Sequence, residues 1–392
     1  MANLRHTYTS PLLRNFEIQD LKSFLPEYID DFTKKLTNQT GDNGWYKISE
    51  VLNEFIQNDE NADNEIDKIL FEKLFFNLQD HVHLFHLESD INADEFVSRF
   101  QDRSVFLSKL STLTQSEDKL ISLRRDGNKI FLLYKYDTIT LGSTGQRSNF
   151  YIPCMLDFEN SLFQIRLRKH YITSSPYKHN DLLTNIKSYV NELDGDISIH
   201  SYNETHIYNL IYSIFKEESE NAEKIIKQSM NDDLTEEIVD QKIIDFLADQ
   251  LAMSNPEGYS DRVKSAFYQD LSVHMDPSTF HDGFISAFTF LDKNFIKSST
   301  RSPRRDPIYN SKVYWNLKDL IHEYEEVSEL ACFWKFNEAN FDAHPEGNEF
   351  EFVEVALRER NGSIEIQYYQ SPNEKRRLKE EYVYYRIKRH LL

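Results

Sequence analysis

The stretch Leu120 to His170 constrains this chain most, because it reads as two consecutive β-hairpins. The first arm, Leu120 to Arg125, turns at Asp126-Gly127-Asn128 and returns as Lys129 to Tyr136. Asp-Gly between two β-rich runs marks a tight turn, since such turns need residues that tolerate positive φ. The second hairpin runs from Asn149 to Asp157, turns near Glu159-Asn160-Ser161 and returns as Leu162 to His170. In that last arm Phe163, Ile165 and Leu167 alternate with Gln164, Arg166 and Arg168. A period of two with one apolar set predicts a sheet packed on one side, with helices from both flanks of the chain available to pack on it.

Around this meander the periodicity is helical. Residues 1–115 read as a mainly helical region, with spacing of 3.6 over Phe16 to Leu36, interrupted near Pro26, and over Ile66 to about Gln79. Ser49 is placed to cap a helix over Glu50 to Ile56. His81 to Leu87 fits a helix end or a short strand, Asp94 to Phe100 a helix, and Val105 to Leu113 a strand leading into the meander at 116–175. Residues 176–300 read as a helical block. Asp233 with Glu236 resembles a capping box, and Asp276-Pro277 combines a capping Asp with Pro at the first helical position. Phe280, Phe284, Phe288, Leu291 and Phe295 then step by three and four, the spacing of a core seam on a helix. The polar, Pro-containing segment Lys297 to Pro307 separates this block from residues 301–392. That last segment holds an amphipathic helix (Leu317, Leu320, Ile321, Tyr324, Val327, Leu330, Trp334), a hairpin over Phe350 to Tyr369 turning at Asn361-Gly362, and a terminal helix from about Asn373 to Arg389. The fold class is therefore α+β: an N-terminal helical region, a central antiparallel β-meander, a helical block and a C-terminal α+β unit.

Composition excludes several functions. Ten glycines in 392 residues is roughly a third of the usual ~7%, and neither GxGxxG nor a Walker A sequence is present. Two cysteines, Cys154 and Cys332, exclude a disulfide scaffold and a cysteine zinc ribbon. No stretch approaches 18 apolar residues and no signal core follows Met1, so the expectation is a cytoplasmic protein without a membrane span. A net charge of −20 repels bulk nucleic acid unless basic residues are gathered in one place.

They are gathered on the terminal helix. Lys375, Lys379, Tyr382, Arg386 and Arg389 step by four, three, four and three and share one stripe. Such a stripe suits phosphates or an acidic partner protein, and equally suits docking on the chain's own acidic surface. Arg301, Arg304 and Arg305 form a second basic cluster. His81, His83 and His86 have the right chemistry for a metal, but no single secondary structure puts all three on one face. Glu354 with Glu365-Ile366-Gln367 loosely matches the acidic pair of a restriction-type nuclease, with Gln where Lys is usual. The leading expectation is a non-enzymatic interaction or regulatory component of a larger cytosolic assembly. It would contact nucleic acid or an acidic protein through the terminal helix and the Arg301–Arg305 loop. The alternative is a metal-dependent hydrolase, most plausibly a nuclease, with Glu354 and Glu365 or the histidines holding a divalent metal.

Overall fold

The computed structural model describes residues 7–391 except 42, 58–59, 113–118, 142–144, 231–234, 292–296, 303–305, 325, 342–349 and 370–374. The chain is an α+β protein that forms two compact units, Met1–Tyr202 and Asn203–Leu392. Their boundary falls inside the segment that the sequence reads as a helical block.

The first unit contains strands β1 (His81–Ser89), β2 (Leu120–Asp126), β3 (Lys129–Leu141), β4 (Gln146–Asp157), β5 (Leu162–Leu167) and β6 (Ile197–His200). They pair antiparallel in the order β2-β3-β4-β5-β1, with β6 also on β1. Both expected hairpins are present. Gly127 takes φ +59° in a two-residue loop, and Asp157 closes the second turn by accepting from the Asn160 backbone at 3.1 Å. The helices are α1 (Ser10–Leu13), α2 (Ile18–Phe24), α3 (Phe32–Asn38), α4 (Gly44–Ile56), α5 (Glu60–Glu72), α6 (Ala93–Ser98), α7 (Lys169–Ser174) and α8 (His179–Asn191).

Here several sequence expectations need correction. The sheet is packed on both faces, not one. Helices α1, α2, α4 and α5 bury Phe131, Leu133, Tyr151 and Met155 on one side, while α6 and α8 bury Ile130, Leu132, Cys154 and Ile165 on the other. All six residues of β5 are therefore buried. Arg166 is 2% exposed, its guanidinium 4.6 Å from the Phe76 ring centre and donating to the Gln164 side-chain oxygen at 2.9 Å. A delocalised, weakly hydrated cation stacked on aromatic faces lets a polar strand face be covered. Helix α4 begins at Gly44, capped by Asn43, whose side chain accepts from the Tyr46 backbone. Ser49 lies inside that helix, buried, with its hydroxyl donating to the Tyr8 carbonyl. The strand expected over Val105 to Leu113 is, among the described residues, a single bridge from Phe106 to Leu123 and one 3-10 turn at Leu110–Thr112. The meander ends at Leu167 and passes into α7.

The second unit contains helices α9 (Glu204–Gln228), α10 (Glu236–Asp245), α11 (Glu257–Val273), α12 (Lys312–Tyr324) and α13 (Arg376–Lys388). Its strands are β7 (Gly283–Leu291), β8 (Lys297–Arg301), β9 (Val327–Phe336), β10 (Glu351–Arg360) and β11 (Ser363–Tyr369), antiparallel in the order β11-β10-β9-β7-β8. The C-terminal hairpin forms as expected, with φ +51° at Asn361 and +73° at Gly362.

Of the expected helical stripe, Phe284, Phe288 and Leu291 lie instead on strand β7 and Phe280 just before it; Phe295 lies outside the described residues. Asp276 does cap, accepting from the Ser278 backbone at 2.8 Å, but only one 3-10 turn follows. A step of four is also an even step, so a Phe every four residues satisfies a strand as readily as a helix. A bulge at Ser286 then divides the stripe. Phe284 pairs with Phe333, while Phe288 pairs with Leu330, so the two rings point to opposite faces. Phe288 meets Phe215 of α9, on the face that the helices cover. Phe284, Phe333 and Phe352 stack on the other face at 5.2 and 5.6 Å. The amphipathic pattern Leu317 to Trp334 also breaks: α12 ends at Tyr324, and Val327, Leu330 and Trp334 belong to β9. Asp233 lies outside the described residues, and Thr235 caps α10.

Candidate functional site

The basic stripe of the terminal helix faces inward. Lys375 reaches Glu351 at 2.5 Å, and Lys379, 2% exposed, lies 3.7 Å from the same carboxylate. Two helical turns further on, Arg386 pairs with Glu218 of α9 and donates to the Tyr382 hydroxyl at 3.2 Å. Trp334 also donates to Glu218 at 2.9 Å. Arg389 and His390 close the cluster on Glu217 at 3.2 and 2.8 Å. Burial raises the Glu218 carboxyl above its usual range despite Arg386 and Trp334. Burial alone would lower the Arg386 guanidinium, but Glu218, Tyr382 and Glu217 together outweigh it and the group is raised. The hydrogen bond from His390 holds Glu217 low. Three of the five stripe residues, Lys379, Tyr382 and Arg386, are buried in this way, which matches the self-docking reading of the stripe. Arg301 is exposed at the end of β8; Arg304 and Arg305 lie outside the described residues.

The strand register separates the two candidate catalytic glutamates. Glu354 lies opposite Tyr369 and Glu365 opposite Arg358. They share a sheet face but stand four residues apart along the hairpin, roughly 13 Å at ~3.3 Å per residue, too far to hold one ion. Glu365 is fully buried and paired with Arg358 at 2.6 Å and Arg360 at 2.7 Å.

The histidines resolve differently. Residues His81 to Ser89 form a strand, so His81 and His83 share a buried face and His86 points to the opposite one, exposed. The partner that sequence spacing did not supply is His179, the first residue of α8. Its Nε2 lies 2.8 Å from His83 Nε2, and its ring centre 5.7 Å from that of His81. A contact across 96 residues has no local signal.

Two pockets in the first unit are lined by described residues. One, of about 560 Å³, is lined by Phe100, Arg103, Lys119, Tyr134 and Tyr189. Its cations are engaged: Arg103 stacks on Phe100 at 4.4 Å and Lys119 on Tyr189 at 3.8 Å. The other, of about 380 Å³, lies between α1 and strands β3 and β4. Its floor is a hydrogen-bonded row: Thr138 donates to Asn149 at 3.1 Å, and Asn149 donates to the Tyr151 hydroxyl at 2.8 Å. Thr9, Pro11, Leu12 and Leu110 form an apolar wall. Lys135 and Arg147 complete the lining, and neither has an ion-pair partner among the described residues. Arg14 joins this edge by donating to the Arg147 carbonyl at 2.6 Å. Sequence reasoning passed over Lys135 and Arg147, because each is an isolated cation on a different strand. The pairings Lys135 with Tyr151 and Arg147 with Thr140 put them on one face.

No described helix is long and apolar enough to cross a membrane. No protein-family model matches the chain, and no curated protein gives a significant match to it.

Proposed function

We propose that the protein is a non-enzymatic interaction component of a cytoplasmic assembly, and that it receives an acidic segment of a partner protein in the pocket under β3 and β4. The observation that carries this reading is the pair Lys135 and Arg147, uncompensated among the described residues in a chain of net charge −20. An acidic chain that leaves two cations facing an open pocket has a favourable place for an anion. Their spacing favours a peptide over a lone ion. Lys135 and Arg147 sit across from positions 151 and 140, so they are four residues apart along β4, roughly 13 Å at ~3.3 Å per residue. Carboxylates four residues apart on an extended segment match that span, with an apolar side chain between them against Leu12 and Leu110. An extended nucleic-acid backbone would need a longer row of cations, and the row on the terminal helix is largely engaged by Glu217, Glu218 and Glu351. Two free buried cysteines in separate strands are consistent with a reducing compartment.

The test is fluorescence anisotropy with a labelled peptide carrying glutamates four residues apart around a central leucine, over a salt series. A charge-assisted hydrogen bond contributes about 1.5–3 kcal/mol, so Lys135→Glu with Arg147→Glu should weaken binding by at least about 100-fold. The wild-type affinity should fall with salt. Equal binding by wild type and the double variant, or no binding by wild type at low salt, refutes the reading.

A further inference from the structure

We propose that the first unit holds a transition-metal ion, zinc by its ligand chemistry, on His83 and His179. The argument begins with the strand. Alternation places His81 and His83 on one face of β1, about 6.6 Å apart along the chain, and both are buried, at 5% and 0% exposure. Helix α8 brings His179 over them, in edge contact with both rings at 5.7 and 4.8 Å between centres. His83 and His179 approach through their Nε2 atoms at 2.8 Å.

Neutral imidazole is the form that coordinates metals. Two neutral imidazoles in this arrangement share one proton between two lone pairs. A bound cation would take the place of that proton. Zinc–imidazole bonds of ~2.0–2.1 Å in tetrahedral geometry put two ligand nitrogens about 3.3 Å apart. The rings therefore need to open by only about half an ångström, within ordinary side-chain freedom. Imidazole donors select zinc, copper, nickel or iron over magnesium and calcium, which take oxygen. Such an ion would clip the start of α8 to the middle of β1, two elements far apart in sequence.

The experiment uses the full chain without a polyhistidine tag. Zinc binding is measured by competition with a chromophoric chelator, and cobalt is loaded in parallel to read its ligand-field absorption. The expected result is stoichiometric zinc and a cobalt spectrum of nitrogen ligation. His179→Gln should lose at least about 100-fold in affinity and abolish that spectrum. His179 is half-buried at a helix start, so this variant should fold, which circular dichroism checks; His83→Gln should behave alike. His86→Gln, on the opposite face, should bind as wild type. Affinity should also fall as pH drops below the usual histidine value of ~6.5, where protons compete. Wild type binding no more tightly than His179→Gln, or His86→Gln losing as much as His179→Gln, overturns the proposal. The histidines would then be an imidazole hydrogen-bonded pair.

Discussion

Replacing Arg386 by Met tests the energetics of the cluster that docks the terminal helix. Methionine keeps much of the aliphatic volume against Trp334 and Tyr382 but removes the cation. Glu218, only 4% exposed at its side chain, is left with the Trp334 N–H as its remaining side-chain donor named in the cluster. Removing one partner of a buried pair costs about 3–5 kcal/mol, mostly because the other charge stays buried without compensation. Against a typical total of 5–15 kcal/mol this is a large share of a domain's stability. Glu218→Gln should cost less, because Arg386 keeps Glu217 at 3.4 Å and Tyr382 at 3.2 Å. The double variant Glu218→Gln/Arg386→Met should recover much of the loss, since neither charge then remains. The assay is urea unfolding followed by near-ultraviolet circular dichroism. Trp315 and Trp334 both report on the second unit, and the transition of each unit must be fitted separately. A loss below about 1 kcal/mol for Arg386→Met, or a double variant as unstable as that single one, refutes the reasoning. The pH dependence is a second check. With Glu218 raised by burial, the folded chain keeps a proton that the unfolded chain releases, so this group's contribution falls as pH rises above the usual carboxylate value. The deficit of Arg386→Met should accordingly shrink in acid.

Three other outcomes follow from particular side chains. Gly283 has φ +123°, and a Cβ there would lie 2.2 Å from the Phe333 carbonyl oxygen, so Gly283→Ala should cost at least about 1–3 kcal/mol from the backbone alone, read as a lower thermal midpoint. Glu217 is held low chiefly by the hydrogen bond from His390, so its contribution is present above the unfolded carboxylate value and is lost as pH falls through its lowered one. His390→Ala should therefore move acid unfolding to higher pH, measured as the midpoint of an acid titration. Asn92→Ala removes the side chain that caps α6, where Asn92 and Glu95 each accept from the other's backbone, and should cost about 1 kcal/mol in denaturant unfolding.

The hairpins were legible in the sequence because their turns are local. Gly127, Asn361 and Gly362 announce positive φ, and the flanking runs need no distant partner to be recognised. The α+β class followed from the same local signals. The second unit was harder for a definite reason. Steps of three and four cannot distinguish an aromatic strand from a helix when the strand carries a bulge, and β7 does. The split of Leu317 to Trp334 into α12 and β9 has the same origin, with a helical period running past the end of the helix. Of the candidate sites, the basic stripe was visible as a stripe, but its inward direction depends on Glu217, Glu218 and Glu351, which come from other elements. His179 and the Lys135–Arg147 pair were invisible because tertiary pairing alone joins them to their neighbours.

The extra residue in β7 acts like a phase shift in a two-state code. Before Ser286, even-numbered positions belong to the stacked Phe284–Phe333–Phe352 face; after it, they belong to the side covered by α9. The strand can thus serve two differently composed surfaces with one aromatic-rich word. The extra residue is therefore spare length. With Ser286 removed, Ile285 and Ala287 would alternate regularly opposite Cys332 and Ala331, and Phe288 would keep its place opposite Leu330. In lineages carrying this chain, a one-residue gap at this point of β7 should accordingly be accepted with both faces intact, and no matching change in β9 should accompany it.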